Sequence, residues 1–356
     1  MSPRTRPADE PFLHGRVSLL DRSRTRVGEE PGRALRDTVA AARAADDLGY
    51  HRFWVAEHHS VPGVAGSAPT VLAAAVAAAT RGIRVGTGGV MLPNHSPFVV
   101  AEQFGVLESL FTGRIDVGVG RSVGFTEGVR RALGHDREDA DRFEEQLAEL
   151  LDWFDGTRAA HPGVHARPAE GLRPPVFVLA TGEGAGIAAR AGLPLVVGDL
   201  RRRARVAEIV ERYREEFKPG PRAEHPHVVI SGTVAIADTE AAAHRILAPE
   251  ARSTAYAAAR GEFPPLIPAE EVDPSTMGRK ERERYEDALT GHIVGTETEV
   301  AAALERAVAD TGADELLITT SAHDRAALAD STARLARLLG LRPRTPTPAA
   351  GAPAVH

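Results

Sequence analysis

Eight short runs of apolar and β-branched residues alternate along this chain with alanine- and leucine-rich patterns of helical periodicity. Such alternation is typical of repeated βα units that build a parallel sheet. The predicted strands are 16–20, 51–56, 83–86, 115–119, 176–180, 195–197, 228–235 and 315–319. Eight units in a chain of 356 residues predict an α/β fold, the (β/α)8 TIM barrel. A doubly wound open sheet is the alternative.

Three of the helical patterns end shortly before a glycine, which predicts that each glycine forms a left-handed C-terminal cap. The patterns are 33–48, 69–80 and 98–110, and the glycines are Gly49, Gly82 and Gly113.

The chain divides into a central domain and two ends. Residues 1–11 and 342–356 are predicted to be disordered, because they have little apolar surface to bury and the second is rich in proline, alanine and threonine. Residues 12–341 are predicted to be a single barrel domain. Within this domain, 219–290 is less regular and is interrupted by prolines, so we expect an insertion that covers the active face as a lid.

Composition narrows the class of partner. With 43 Lys and Arg against 49 Asp and Glu, the net charge of −6 argues against nucleic acid and anionic membranes as partners. Small molecules are therefore the expected ligands. The chain has no cysteine, which excludes disulfides, thiolate metal sites and cysteine nucleophiles. No signal peptide and no apolar run of about 18 residues is found, so we expect a cytoplasmic protein.

Titratable side chains follow the second predicted strand in the segment Ala56–Glu57–His58–His59. In a barrel of this class the active site lies at the carboxyl ends of the strands. Because adjacent side chains on a strand face opposite ways, only one of His58 and His59 is expected to face the barrel mouth. A buried, hydrogen-bonded histidine is the alternative to a catalytic one. A metal site is not expected, since no HExxH motif or cysteine supplies further ligands.

Three further segments end strands on the same predicted face. Gly88 and Gly89 permit close approach of a planar ligand to the backbone, although a tight loop is the simpler interpretation. Arg121 follows the strand 115–119 and suits a phosphate or carboxylate, unless it forms an ordinary surface ion pair.

The turn after strand 176–180 is rich in threonine and glycine and leads into a helix, an arrangement suited to an anion. Its glycines do not satisfy GxGxxG, because Ile187 stands at the third position, so the phosphate of a mononucleotide is favoured over a dinucleotide.

Taken in order, these segments resemble the bacterial luciferase-like flavin-dependent monooxygenase family. The resemblance spans nearly the whole central domain. It rests on the motifs WVAEHH, RVGTGGVMLPNHSPFVVAEQFGVLESL, GRIDVGVGR and AARAGLP, and on the closing segments HIVGTETEVAAAL and TGADELLITTSAHD.

The resemblance implies a set of site residues. Gly88–Gly89 matches the family's non-proline cis peptide beneath the flavin ring, and His58 matches its catalytic acid or base, with Glu57 to orient or anchor that histidine. The FMN phosphate is expected at Arg121 and at the turn Ala180, Thr181, Gly182, Glu183 and Gly184, where Glu183 is unhelpful unless it points away. A substrate pocket is expected at His59, His95 and Ser122. The position directly before Arg121, which is a reactive cysteine in luciferase, is Gly120 in this chain, so that cysteine cannot be required here.

The resemblance also implies a function. The expected activity is a two-component monooxygenase, in which FMN reduced by a separate flavin reductase reacts with molecular oxygen to give a peroxyflavin. That species would oxygenate a small organic substrate by aldehyde oxidation, hydroxylation or epoxidation. A deazaflavin (coenzyme F420) oxidoreductase, a non-catalytic flavin-binding subunit and a phosphosugar isomerase using Glu57 and His58 are the alternatives. A homodimer is implied as well, with the helix 69–80 as a candidate interface.

Overall fold

The computed structural model describes residues 12–124, 126–157 and 161–343. Two ends are predicted to be disordered. Of these, residues 1–11 and 344–356 lie outside the described residues, and only 342 and 343 are described. The strands are β1 Val17–Asp21, β2 Arg52–Val55, β3 Arg84–Thr87, β4 Val90–Met91, β5 Ile115–Gly120, β6 Val176–Ala180, β7 Leu195–Val197, β8 Val228–Gly232, β9 Val234–Ile236, β10 Ile293–Gly295 and β11 Glu315–Ile318. The α-helices are α1 Pro31–Leu48, α2 Pro69–Ala79, α3 Pro97–Leu110, α4 Glu127–Leu133, α5 Phe143–Asp155, α6 Gly184–Arg190, α7 Arg203–Glu216, α8 Glu240–Arg260, α9 Arg279–Leu289, α10 Glu297–Thr311 and α11 Arg325–Leu338.

Eight parallel strand positions close into a barrel. The strand order is β3-β2-β1-β11-β8-β7-β6-β5, and pairing of β3 with β5 completes the ring. The predicted (β/α)8 barrel is therefore confirmed, and each of the eight predicted runs overlaps one barrel strand. The run 228–235 was too long, because it covers both the barrel strand β8 and most of the separate strand β9.

The third strand position is broken in two. Both β3 and β4 pair with β5, and between them the Gly88–Gly89 peptide bond is cis. This is the position at which the family resemblance implied a cis peptide.

Only part of the capping prediction was correct. Gly49 caps α1 in the left-handed conformation, with φ of 87°. By contrast, α2 ends in an extended Thr80, and α3 is capped by Phe111 while Gly113 turns left-handed two residues later. The capping prediction was therefore wrong for Gly82 and Gly113, because these helices end before the chain reaches the glycine.

The barrel interior has two chemically distinct layers. Near the amino ends of the strands, Arg52 forms ion pairs with the fully buried carboxylates of Asp116, at 2.7 Å, and Glu315, at 2.9 Å. Above them lies an apolar layer that contains Trp54, whose ring meets that of Phe177 edge-on at 5.0 Å. Removing one partner from a buried ion pair is strongly destabilising, so we assign this charged layer a structural role. It lies at the end of the barrel opposite the carboxyl ends of the strands.

Residues 219–290, predicted as an insertion, contain barrel strand β8 followed by β9, α8 and α9. Strand β9 pairs with β10 in a separate two-stranded parallel sheet. The segment after α8 is joined to loops near the carboxyl ends of the first two strands: Gly63 donates a backbone hydrogen bond to Phe263 O at 2.8 Å, and Leu266 donates one to Thr25 O at 2.9 Å. The segment after α8 therefore reaches the rim of the barrel, whereas β8, within the predicted insertion, belongs to the barrel itself. Among the described residues, no helix is both long and apolar enough to cross a bilayer.

Candidate active site

A cavity of about 820 Å³ opens at the carboxyl ends of the barrel strands. Every residue predicted for catalysis or cofactor binding lies in its wall. These residues are Glu57, His58, Gly88, Gly89, Arg121, Ala180, Thr181, Gly182, Glu183 and Gly184. Of the predicted substrate-pocket residues, His59 and Ser122 also line the cavity, whereas His95 lies behind it on Glu57. Tertiary structure thus brings together predicted residues that are up to 127 positions apart in the sequence (57 to 184).

Glu57 is the centre of a hydrogen-bonded cluster at one end of the cavity. Its Oε1 is 2.7 Å from His59 Nε2 and 2.8 Å from His95 Nε2, and its Oε2 accepts a hydrogen bond from the Met91 amide at 2.9 Å. Burial raises the pKa of this carboxyl, but the bonds from His59 and His95 outweigh burial and lower the pKa to about 2. Glu57 is therefore an anion that fixes two imidazoles.

The expectation that Glu57 orients His58 was wrong in this geometry. None of the hydrogen bonds of the Glu57 carboxylate within the described part of the chain goes to His58. The physical reason is that the chain leaves β2 at Val55 and turns, so the carboxylate swings toward the loop after β4. For the same reason, the strand alternation that would send only one of His58 and His59 to the mouth does not apply, and both line the cavity.

His58 is held differently from His59. Its backbone amide donates to Gly66 O at 2.8 Å, and its ring Nδ1 is buried without a hydrogen-bond partner among the described residues. Burial, together with the positive charges of Arg22 and Arg24, lowers the pKa of His58 to about 4. The imidazole is therefore neutral at pH 7, and the hydrogen-bonding capacity of its buried Nδ1 is unused among the described residues.

Glu57, His59 and His95 also form a set of groups able to ligate a metal, with ligand atoms all within 4.8 Å of one another. The hydrogen bonds from both imidazoles to one carboxylate oxygen account for this compactness without an ion. The cluster is thus explained by hydrogen bonding, and we assign no metal to it.

Two cationic side chains belong to the cavity wall, one directly after β5 and one in α7. They are Arg121 and Arg205. Arg121 Nη1 lies 3.1 Å from Glu183 Oε2, and its Nη2 lies 3.7 Å from Asp141 Oδ1. Glu183 therefore does not point away from Arg121 but is paired with it.

Glycines leave the middle of the cavity open. Gly120, Gly182 and Gly198 all line it, and a Cβ built on any of them would have no neighbouring atom closer than 3.8 Å. By contrast, a Cβ on Gly89 would lie 2.8 Å from Gly118 O, so this glycine is packed tightly against the barrel. The wall at Gly89 is thus tightly packed, whereas the space beside Gly120, Gly182 and Gly198 is free for a flat ligand.

Sequence reasoning missed several wall residues. Arg205 belongs to an arginine-rich run, RRRAR at 201–205, which could have been noticed as a second cation for an anion site. Phe263 and Val61 come from loops, and no local pattern marks them. Leu20, Val196 and Leu317 are ordinary strand residues whose inward direction could have been predicted from strand alternation.

Comparison with known proteins agrees with this architecture. The luciferase-like monooxygenase family model matches residues 15–315. The luciferase-like monooxygenase of Escherichia coli (strain K12) is 35% identical over 314 residues, covering 87% of this chain and 92% of that protein. N-acetyl-S-alkylcysteine monooxygenase of Bacillus subtilis is 42% identical over 187 residues, covering 51% and 56%. The chain therefore belongs to the luciferase-like monooxygenase family, a family of enzymes.

Solved structures show the same barrel. The apo-MsnO8 crystal structure superposes with a TM-score of 0.81 at 32% identity, covering 92% of this chain and 99% of that one. The oxygenating constituent of 3,6-diketocamphane monooxygenase from Pseudomonas putida, in complex with FMN, gives 0.67 at 19% identity, with 91% and 97% covered. The coenzyme F420 dependent tetrahydromethanopterin reductase of Methanopyrus kandleri gives 0.65 at 14%, with 93% and 98% covered. At these last two identities the likeness concerns the fold alone.

Proposed function

We propose that this chain is the oxygenating component of a two-component monooxygenase. It would take reduced FMN from a separate flavin reductase and use molecular oxygen to oxygenate a small organic substrate. The observation that carries the proposal is the cavity of about 820 Å³ at the carboxyl ends of the strands. Its wall combines tightly packed glycines, arginines after β5 and in α7, and histidines after β2.

The residues present suit FMN. A flat ring system would lie over the cis Gly88–Gly89 floor and against the apolar side chains of Leu20, Val90 and Leu179, which line the same cavity. Arg121 and Arg205 would face the phosphate, since guanidinium groups match phosphate oxygens in geometry and charge. When bound, reduced FMN supplies the two electrons that allow molecular oxygen to react.

The protein groups would then have distinct tasks. Neutral His58, whose Nδ1 has no hydrogen-bond partner in the described part of the chain, would bind or move a proton in the cavity. Glu57 would hold His59 and His95 in place, and a ligand-filled cavity would exclude water. The named monooxygenases among the relatives support oxygenation as the reaction class.

Self-association is part of the proposal. Val71 on α2 is 70% exposed and Leu110 on α3 is 68% exposed, and Val106 on α3 is also exposed. Thr70 and Gln103 join these two helices by a side-chain hydrogen bond of 2.9 Å. An apolar face on paired helices favours burial against a second copy, which supports a homodimer.

Anaerobic addition of reduced FMN followed by oxygen tests the proposal. We expect reduced FMN to bind. After oxygen is added, a long-lived near-ultraviolet absorbance should precede the return of the spectrum of oxidised FMN. Immediate return of oxidised FMN, combined with tighter binding of coenzyme F420 than of FMN, would contradict the proposal and favour a deazaflavin oxidoreductase.

A further inference from the structure

The ion pair between Arg121 and Glu183 lies at the end of the cavity where the proposed function needs a phosphate. Both residues line the cavity, and the pair joins the ends of two neighbouring barrel strands, β5 and β6. Arg121 Nη1 and Glu183 Oε2 are 3.1 Å apart. The cation best placed for a phosphate is thus already paired with a carboxylate of the same cavity wall.

The two partners differ in how firmly they are held. The Glu183 side chain is 88% exposed, whereas that of Arg121 is 37% exposed. Asp141, the second carboxylate near Arg121, is 3.7 Å from Nη2 and does not line the cavity. Glu183 can therefore turn into solvent at little cost in packing, and it is the group that an incoming anion would meet.

A phosphate dianion and the Glu183 carboxylate cannot both occupy the same face of Arg121. Their like charges repel, and the guanidinium would have to divide its donors between them. Binding of the phosphate at Nη1 therefore requires Glu183 to leave that edge of Arg121.

We propose that Glu183 is a displaceable internal counter-ion of Arg121, which competes with the phosphate group of the flavin and thereby sets the affinity for FMN relative to riboflavin. This inference rests on the proposed function. A flavin without phosphate leaves the Arg121–Glu183 pair intact and incurs no such competition. Glu183 makes the affinity for FMN lower than it would be if Arg121 were unpaired. A moderate affinity suits a protein that exchanges FMN with a reductase.

Fluorescence titration with FMN and with riboflavin tests the inference in three proteins: the full chain, Glu183→Gln and Glu144→Gln. Glu144 is a matched control, because it also pairs with an arginine, Arg190, at 2.8 Å, but lies outside the cavity wall. We expect Glu183→Gln to lower the Kd for FMN by about threefold or more, the scale of a lost exposed ion pair. Riboflavin affinity and both affinities of Glu144→Gln should stay unchanged.

Unchanged or weaker FMN binding in Glu183→Gln would overturn the inference, as would an equal gain for riboflavin. Inorganic phosphate gives a readout that needs no flavin: it should raise the unfolding midpoint of Glu183→Gln more than that of the full chain or of Glu144→Gln. If that difference is seen although none of the proteins binds FMN, the competition stands and the proposed function fails. If phosphate affects all three equally, the competition itself is refuted.

Discussion

Glu57 Oε1 lies 2.7 Å from Nε2 of His59, so the carboxylate holds the second histidine of the pair and not its direct neighbour His58. This relationship distinguishes the anchored imidazole of His59 from that of His58, whose buried Nδ1 has no hydrogen-bond partner among the described residues. Histidines that follow each other in sequence thus have different chemical roles.

Glu57→Gln should lower stability. The amide cannot accept hydrogen bonds at both of its terminal atoms, so one of His59, His95 and the Met91 amide loses its partner in a buried site. We expect a loss of about 1–3 kcal/mol in the free energy of unfolding, measured by urea denaturation. Glu127→Gln, which removes a carboxylate that is 74% exposed, is the control and should change stability little. Equal effects of the two substitutions would contradict the central position of Glu57.

His58→Asn should separate turnover from binding. If His58 moves a proton during the reaction, turnover should fall by on the order of a hundredfold, while FMN affinity changes little. Steady-state kinetics and flavin fluorescence titration on the same protein measure the two effects. A parallel loss of both would show instead that His58 is structural or a flavin ligand.

The ring of His58 should titrate far below the ordinary histidine value. Two-dimensional NMR of the imidazole C–H groups, with the His58 signal assigned by its absence in His58→Gln, should give a pKa of about 4, not 6.5. Because the unfolded chain takes up this proton first, the contribution of His58 to stability is complete above pH 6.5. It is lost as the pH falls from 6.5 toward 4. A midpoint near 6.5 would disprove the effect of burial and of Arg22 and Arg24.

Two glycines on β5 provide a matched pair of substitutions. A methyl group on Gly118 would overlap the carbonyl oxygen of Thr87, whereas one on Gly120 would have no atom within 3.7 Å. Gly118→Ala should therefore unfold at a much lower temperature than the unsubstituted chain. Gly120→Ala should retain its unfolding midpoint but bind FMN more weakly, because its methyl group narrows the cavity. Equal thermal stability of the two variants would contradict the packing described for β5.

Substitution of the exposed apolar side chains of α2 and α3 should weaken self-association. Val71→Asp combined with Leu110→Asp places charge on both helices, and light scattering should show a shift from dimer to monomer at micromolar concentration. Val164→Asp, at a loop residue that is 47% exposed, should leave the mass unchanged. A monomeric unsubstituted chain would refute the proposed homodimer.

The sequence alone determined the barrel and most of its active face. Runs such as 176–180 and 195–197 are short, apolar and β-branched, and each is followed by a helix, so local periodicity was sufficient to place strand ends and the residues just beyond them. The motifs around Gly88–Gly89, Arg121 and Thr181 were identified for the same reason.

Only the tertiary structure decided which side chains meet. Glu57 contacts His59 and His95 because the loop after β4 folds over the end of β2, and Arg205 and Phe263 join the cavity from a helix and a loop that have no strand pattern to mark them. The pairing of Arg121 with Glu183 is likewise a contact across 62 residues. Such contacts depend on how loops of different length close over the barrel, and sequence periodicity, which reports burial along one element, contains no information about them.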